Sequence, residues 1–266
     1  LNLHFVFSGN PGTGKTTVAR IVADVFKSVG LLSRGHLVEV DKSKLVAGYS
    51  DQTAIKTHNV VDDALGGILF IDEAYSITSD GSSFGKECVD ALVKRLEDDQ
   101  GKFICIAAGY TKEMNEFIDT NPGLKSRFTK WINFPDYTPD ELAEIFRKMV
   151  KGAEYKLDAE TDEWIGKFFK NVHAAKDKNF GNAREVRNIM QAALQRQSSR
   201  VARILKENPT APIDPMILIR EDIEPKVEKA VNMDDIFKKL DSLIGLNDIK
   251  KELRSLASYL QVEKKR

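Results

Sequence analysis

Eight consecutive residues, Gly9-Asn10-Pro11-Gly12-Thr13-Gly14-Lys15-Thr16, satisfy the pattern G-x-x-x-x-G-K-[ST]. Glycines in such a run let successive backbone N–H groups curl around phosphate oxygens, and a helix starting at Gly14-Lys15 adds its positive dipole end. Lys15 then supplies a mobile point charge to the β- and γ-phosphates, and the Thr16 hydroxyl an oxygen ligand to Mg²⁺. The pattern has force only between a strand and a helix. Here an apolar run, Leu3 to Phe7, precedes it, and an amphipathic stretch, Thr16 to Lys27, follows.

A second group of residues fits the same chemistry. Ile68-Leu69-Phe70-Ile71-Asp72-Glu73 ends an apolar strand on two carboxylates. By itself such a pair ordinarily caps the next helix. Beside a phosphate loop, Asp72 can hold the water shell of Mg²⁺, which leaves Glu73 to polarise an attacking water as general base. Together the two motifs predict a site for ATP and Mg²⁺ that hydrolyses rather than merely binds.

These residues need a scaffold that brings strand ends together. The first half alternates short apolar runs with amphipathic stretches: strands at 3–7, 36–40, 68–71, 103–107 and 131–134, with helices between them. Such alternation gives stacked βαβ units. Four consecutive apolar residues at 68–71 suit a strand buried on both faces. The predicted fold is α/β: a P-loop parallel five-stranded sheet sandwiched by helices over 1–137, then a small all-α lid subdomain over 138–207. Thr138-Pro139-Asp140-Glu141 opens the lid with an N-cap, a proline at the first helical position and acids in the first turn. Leu142, Ile145, Phe146 and Met149 form its first apolar stripe. Residues 208–266 are expected to be an irregular, proline-rich connector and then an amphipathic helix.

Composition narrows the function classes. Lys+Arg and Asp+Glu both number 40, so the net charge is zero and no global field draws the chain to nucleic acid or anionic lipid. Cys88 and Cys105 form neither a disulfide framework nor a metal knuckle. No signal-peptide start and no membrane-length apolar run is present, and a cytoplasmic protein is expected.

From Leu3 to about Ser198 the chain resembles the AAA+ ATPases of the clade of stage V sporulation protein K and red-type Rubisco activase, to which the ATPases of mycobacterial type VII secretion also belong. The resemblance rests on the phosphate loop through Thr17-Val18-Ala19-Arg20, on Ile71-Asp72-Glu73-Ala74-Tyr75 and on Ala108-Gly109-Tyr110. Asn121-Pro122-Gly123-Leu124-Lys125-Ser126-Arg127-Phe128 and Gly181-Asn182-Ala183-Arg184 complete it. It implies nucleotide contacts from Asn10 through Thr17. Arg127 is implied as an arginine finger acting in trans on a neighbouring subunit, and Arg184 as the sensor-2 arginine within its own subunit. Where many members carry a polar sensor-1 residue this chain has Ala108-Gly109-Tyr110, so Tyr110 is the candidate there. Tyr49, in the loop after the second strand, matches an aromatic that grips polypeptide in a ring's central pore, although Tyr49-Ser50-Asp51 departs from the clade's usual aromatic-aliphatic-Gly.

The tail carries an Ile244-Gly245-Leu246 segment which, in this family, lies before the strand leading into the phosphate loop and contacts adenine. Its position here predicts either the opening of a following tandem module or a permuted chain that uses Ile244 and Gly245 at its own site. An ordinary amphipathic helix is the third possibility. Three functions stay open at this point. The first is a ring-forming, hexameric remodeller or threading motor with an unknown protein client. The second is a slowly hydrolysing, nucleotide-switched scaffold. The third is a nucleic-acid motor, against which the neutral charge argues.

Overall fold

The computed structural model describes residues 3–48, 52–177 and 180–224, and in the tail residues 237, 240–241, 245, 249–255 and 257. It divides into two compact units, Leu1–Ile223 and Glu224–Arg266. The expected pore residue Tyr49 and the tail residue Ile244 lie outside the described residues.

The first unit opens with β1 (Phe5–Gly9), α1 (Lys15–Ser28) and β2 (Leu37–Val40). A four-residue helix α2 (Lys42–Leu45) and α3 (Gln52–Ala64) lead to β3 (Ile68–Ile71). A 3₁₀ turn over Ala74–Ile77 and α4 (Ser83–Asp98) precede β4 (Ile104–Gly109). Then α5 (Thr111–Asp119) and α6 (Pro122–Arg127) precede β5 (Lys130–Phe134). The five strands form one sheet in the order β2-β3-β4-β1-β5, with every neighbouring pair parallel.

Alternation along the strands decides which face each side chain serves. Phe7, Ile68, Phe70, Ile104 and Ile106 are buried on one face with Ala19 and Ala23 of α1. Val6, Leu69, Ile71, Cys105 and Ala107 are buried on the other, with Val61 of α3, Leu92 and Leu96 of α4, and Met114 of α5. Each central strand is therefore apolar on both sides, the physical reason for its unbroken Ile/Leu/Phe run.

The lid comprises α7 (Pro139–Gly152), α8 (Ala159–Ala174) and α9 (Ala183–Glu207) around Leu142, Phe146, Ile165, Phe169 and Val186. The expected cap on α7 is a full capping box: Thr138 Oγ1 accepts from the Glu141 N–H, and Glu141 Oε2 accepts from the Thr138 N–H. Past residue 207, where an irregular connector was expected, the chain continues to build the lid. β6 (Lys156–Leu157) pairs with β7 (Ile217–Leu218), and α10 (Arg220–Ile223) follows. Leu218 and Ile223 enter the lid core. The buried Asp222 carboxylate accepts from the Arg200 guanidinium at 2.8 and 3.0 Å and from the Ile219 N–H. Pro209, Pro212 and Pro215 disguise this closure, because they break periodicity without preventing a two-residue pairing.

In the second unit, residues 249–255 are helical, and Arg254 pairs with Asp241 at 2.6 Å. Gly245 adopts a φ of +75°.

Just before β1, the buried His4 accepts a hydrogen bond at Nδ1 from the Cys105 N–H at 3.0 Å. Burial first, and then the nearby Arg127 charge, pull its pKa down to about 4. The folded state thus holds fewer protons than the unfolded chain between the ordinary histidine value and pH 4, so stability falls as pH falls through that window. Urea unfolding should show His4 removing about 2 kcal/mol of stability between pH 7 and pH 5. His4→Gln should flatten that part of the profile, and an unchanged slope would contradict the assignment.

Candidate functional site

Parallel strands put their carboxyl ends along one edge of the sheet, and the chemical residues lie on the loops that leave that edge. The phosphate loop leaves β1, Asp72 and Glu73 leave β3, and Tyr110 leaves β4. A cavity of about 480 Å³ is lined by Pro11, Gly12, Gly14, Lys15, Thr16 and Thr17 of the loop. Asp72, Glu73, Tyr110 and Arg184 also line it. A second cavity of about 610 Å³, lined by Asp41, Lys42 and Ser43, meets it at Asp72 and Glu73.

The structure brings together Lys15, Thr16, Asp72, Glu73, Tyr110 and Arg184 around this space. Lys15 Nζ donates to the Gly9 and Asn10 carbonyls, each at 2.8 Å. Burial lowers the Lys15 pKa and the Arg184 charge adds to the effect, while Asp72 and Glu73 partly offset it. The Asp72 carboxylate accepts from the Glu73 N–H at 3.1 Å. Glu73 itself has φ +47° and ψ +46°, a left-handed conformation that costs a non-glycine residue strain. That kink ends β3 and starts the 3₁₀ turn, and it leaves Glu73 exposed where the two cavities meet.

Tyr110 caps α5 with no side-chain hydrogen bond of its own to the helix. Its ring lies 6.1 Å from that of Tyr75. Burial, Glu73 and Tyr110 push the Tyr75 pKa up to about 12, so its phenol stays protonated across the ordinary pH range. A Cβ on Gly109 would stand 2.7 Å from the Tyr75 ring and 2.9 Å from the Met114 sulfur. Only glycine admits that packing, which is a local reason for the Ala108-Gly109-Tyr110 sequence.

Arg127 is not part of this cavity. β5 runs parallel to β1, with Lys130 opposite Phe5 and Phe134 opposite Gly9. Arg127, three residues before Lys130, therefore sits at the opposite edge of the sheet, about 13 Å or more along the strand from the phosphate loop. There its guanidinium, 17% exposed, pairs with Glu97 at 2.5 Å and donates to the Gly123 carbonyl at 3.1 Å.

The lid contributes residues that sequence reasoning left unassigned. Tyr137, Ile145 and Met149 line the cavity, as does Arg187. Leu142, Phe146 and Val150 of the same helix are buried in the lid core, so the apolar stripe expected on α7 serves two surfaces. Asp136 Oδ1 accepts from both Asn10 Nδ2 and Asn182 Nδ2 at 2.9 Å, and Oδ2 accepts from Lys176 at 3.1 Å. Burial would raise that carboxyl, but these three donors hold it below the usual carboxylate range.

The donor set fits a magnesium nucleotide. The first N–H groups of α1 have no intrahelical acceptor, and Lys15, Arg184 and Arg187 supply positive charge. Thr16 and Asp72 offer hard oxygen ligands of the kind Mg²⁺ takes alongside water and phosphate. Among the described residues no helix is long and apolar enough to cross a membrane.

Comparison with known proteins agrees with this architecture. The model of the ATPase family associated with various cellular activities (AAA) matches residues 5–136, and that of the AAA lid domain matches 138–233. Stage V sporulation protein K of Bacillus subtilis is 45% identical over 201 residues, 75% of this chain and 62% of that protein. The chloroplastic ribulose bisphosphate carboxylase/oxygenase activase of Cyanidioschyzon merolae is 39% identical over 201 residues, 75% of this chain and 68% of that one. The ESX-1 secretion system protein EccA1 of Mycobacterium leprae is 39% identical over 210 residues, and only 37% of its length is matched. This chain therefore spans less than two thirds of the first and last of these relatives. The crystal structure of the FIGL-1 AAA domain in complex with ADP superposes with a TM-score of 0.57 at 16% identity, covering 91% of this chain and 78% of that one. With the activase matched over more than two thirds of its length, the chain belongs to the AAA family of ATPases, in the clade of stage V sporulation protein K and the Rubisco activases.

Proposed function

We propose that this chain is the ATP-hydrolysing module of a ring-forming motor, hexameric in its working state, that uses Mg-ATP to remodel or thread a protein client. One observation carries the reading. The cavity gathers a phosphate-binding lysine, two carboxylates and a lid arginine, while Arg127 lies at the far edge of the same sheet. A finger placed there serves a second copy, so hydrolysis depends on assembly.

The residues divide the chemistry as follows. The loop from Asn10 to Thr17 binds the phosphates, and Tyr137, Ile145 and Met149 supply an apolar wall for the purine. Thr16 and Asp72 hold Mg²⁺, which neutralises phosphate charge when bound. Glu73 orients and deprotonates the attacking water, with Tyr110 beside it. Arg184 contacts the phosphates from the lid. Arg127 of a neighbouring copy stabilises the charge that develops as the terminal phosphoryl group leaves. Three curated relatives named for sporulation, Rubisco activation and secretion share this module, which suits a motor adapted to different clients. The tail's resemblance to the opening of a module fits a longer protein with tandem modules.

Glu73→Gln should keep ATP binding and lower turnover about 10²-fold or more, the range for loss of a general base. Steady-state hydrolysis and calorimetry read the two effects separately, and near-normal turnover would reject Glu73 as the base. Arg127→Ala should bind ATP and fail to turn it over. Mixing it with Glu73→Gln subunits should restore part of the activity, since some interfaces then pair an intact Glu73 with an intact Arg127. No recovery on mixing would remove the argument for action in trans. Tyr49→Ala should abolish the stimulation of turnover by an unfolded protein, and stimulation equal to that of the unmutated chain would dismiss the threading role of Tyr49.

A further inference from the structure

Each of five consecutive carbonyls of the phosphate loop has a hydrogen-bond partner. Gly9 O and Asn10 O accept from Lys15, and Asn10 O also accepts from Thr13 Oγ1 at 2.8 Å. The other three are taken from outside the loop. Pro11 O accepts from Asn182 Nδ2 at 3.3 Å, Gly12 O from the Ala183 N–H at 3.1 Å, and Thr13 O from the Tyr137 hydroxyl at 3.2 Å. Gly12 also has no room for a side chain, since a Cβ would collide with the Gly181 carbonyl. The hinge, residues 135–138 between β5 and α7, and the start of α9 thus hold the loop through its carbonyls.

Asn182 is the residue that joins these parts. It is fully buried and has φ +48° and ψ −124°, a conformation that costs any non-glycine residue strain. Its side chain satisfies all that it can. Oδ1 accepts from the Tyr137 N–H at 2.9 Å, and Nδ2 donates to Asp136 Oδ1, with longer contacts at 3.3 Å to the Phe180 and Pro11 carbonyls. Asp136 extends the connection to Asn10 and Lys176. Strain of this kind persists where the surroundings over-determine the position, and loop, hinge and lid all do so here. Arg184 follows two residues later in the first turn of α9, so the direction in which it leaves the lid is set at Asn182.

We infer that Asn182, with Asp136, is a positioning pair that locks the lid to the phosphate loop and thereby delivers Arg184 to the bound phosphates. The inference rests on the reading of Arg184 as a phosphate contact. Its consequence is non-additive energetics: once the lock is gone, Arg184 has little left to contribute.

The test is a cycle of ATP affinities, measured by calorimetry on the full chain for Asn182→Gly, Arg184→Ala and the double variant. Glycine accepts the positive φ and removes only the side-chain bonds. Each single change should weaken ATP binding about tenfold, and the double should be no more than about twofold weaker than either single. Losses that multiply to about a hundredfold, or an Asn182→Gly chain that binds ATP normally, would overturn the pair's role. If Arg184→Ala alone binds ATP like the unmutated chain, the reading of Arg184 fails. The lock is then judged by the same cycle on Asn10→Ala and Asn182→Gly, where non-additive losses support it and independent losses overturn it. If Asn182→Gly does not fold, Asp136→Ala, which removes the acceptor shared by Asn10 and Asn182, takes its place with the same expectations.

Discussion

A loop that offers its N–H groups to phosphate must turn its carbonyls the other way, and those carbonyls cannot be left without donors at a junction the lid covers. In this chain the run from Gly9 to Thr13 resolves that constraint with three kinds of donor. Lys15 and Thr13 serve from within the loop, Tyr137 from the hinge, and Asn182 and Ala183 from the lid. The loop's shape is therefore a property of both subdomains. A ligand that reshapes it acts on the lid as well, with no separate transmitting element needed.

The sheet makes this junction possible by where it puts strand ends. β1 lies between β4 and β5, one strand in from the edge of the sheet, so its loop emerges between Tyr110 on one side and Asp136 on the other. β3, one strand beyond β4, brings Asp72 and Glu73 to the same edge. The opposite edge holds a different chemistry. There Arg127 is compensated by Glu97, whose side chain is 72% exposed. An arginine already neutralised by a partner within the chain costs the fold little.

Much of this was legible in the residues themselves. The five strands and the phosphate loop follow from apolar runs, glycine spacing and the order of elements, which are local signals. Asp72 and Glu73 were legible because a strand of four apolar residues ends on them. Asn10, Asp136 and Asn182 were not legible as one network, because their partners lie 126 and 46 residues apart and nothing local marks an asparagine as buried. The closing of the lid by β7 and α10 was hidden for a related reason: two paired residues and a four-residue helix carry no periodicity. Ile145 and Met149 read as core because periodicity assigns a helix face without saying which neighbour covers it.

The charges around the cavity suit a polyanion. Lys15 and Arg184 are close enough for the arginine to destabilise the lysine's charge, and burial adds to that cost. Asp72 and Glu73 offset part of it. A nucleotide's phosphates would relieve the repulsion between the two cations, and a divalent cation would relieve the repulsion those phosphates create at Asp72 and Glu73. The two cations and the two carboxylates thus make sense only as a set. Removing either pair would leave the other without its counter-charges around the same space.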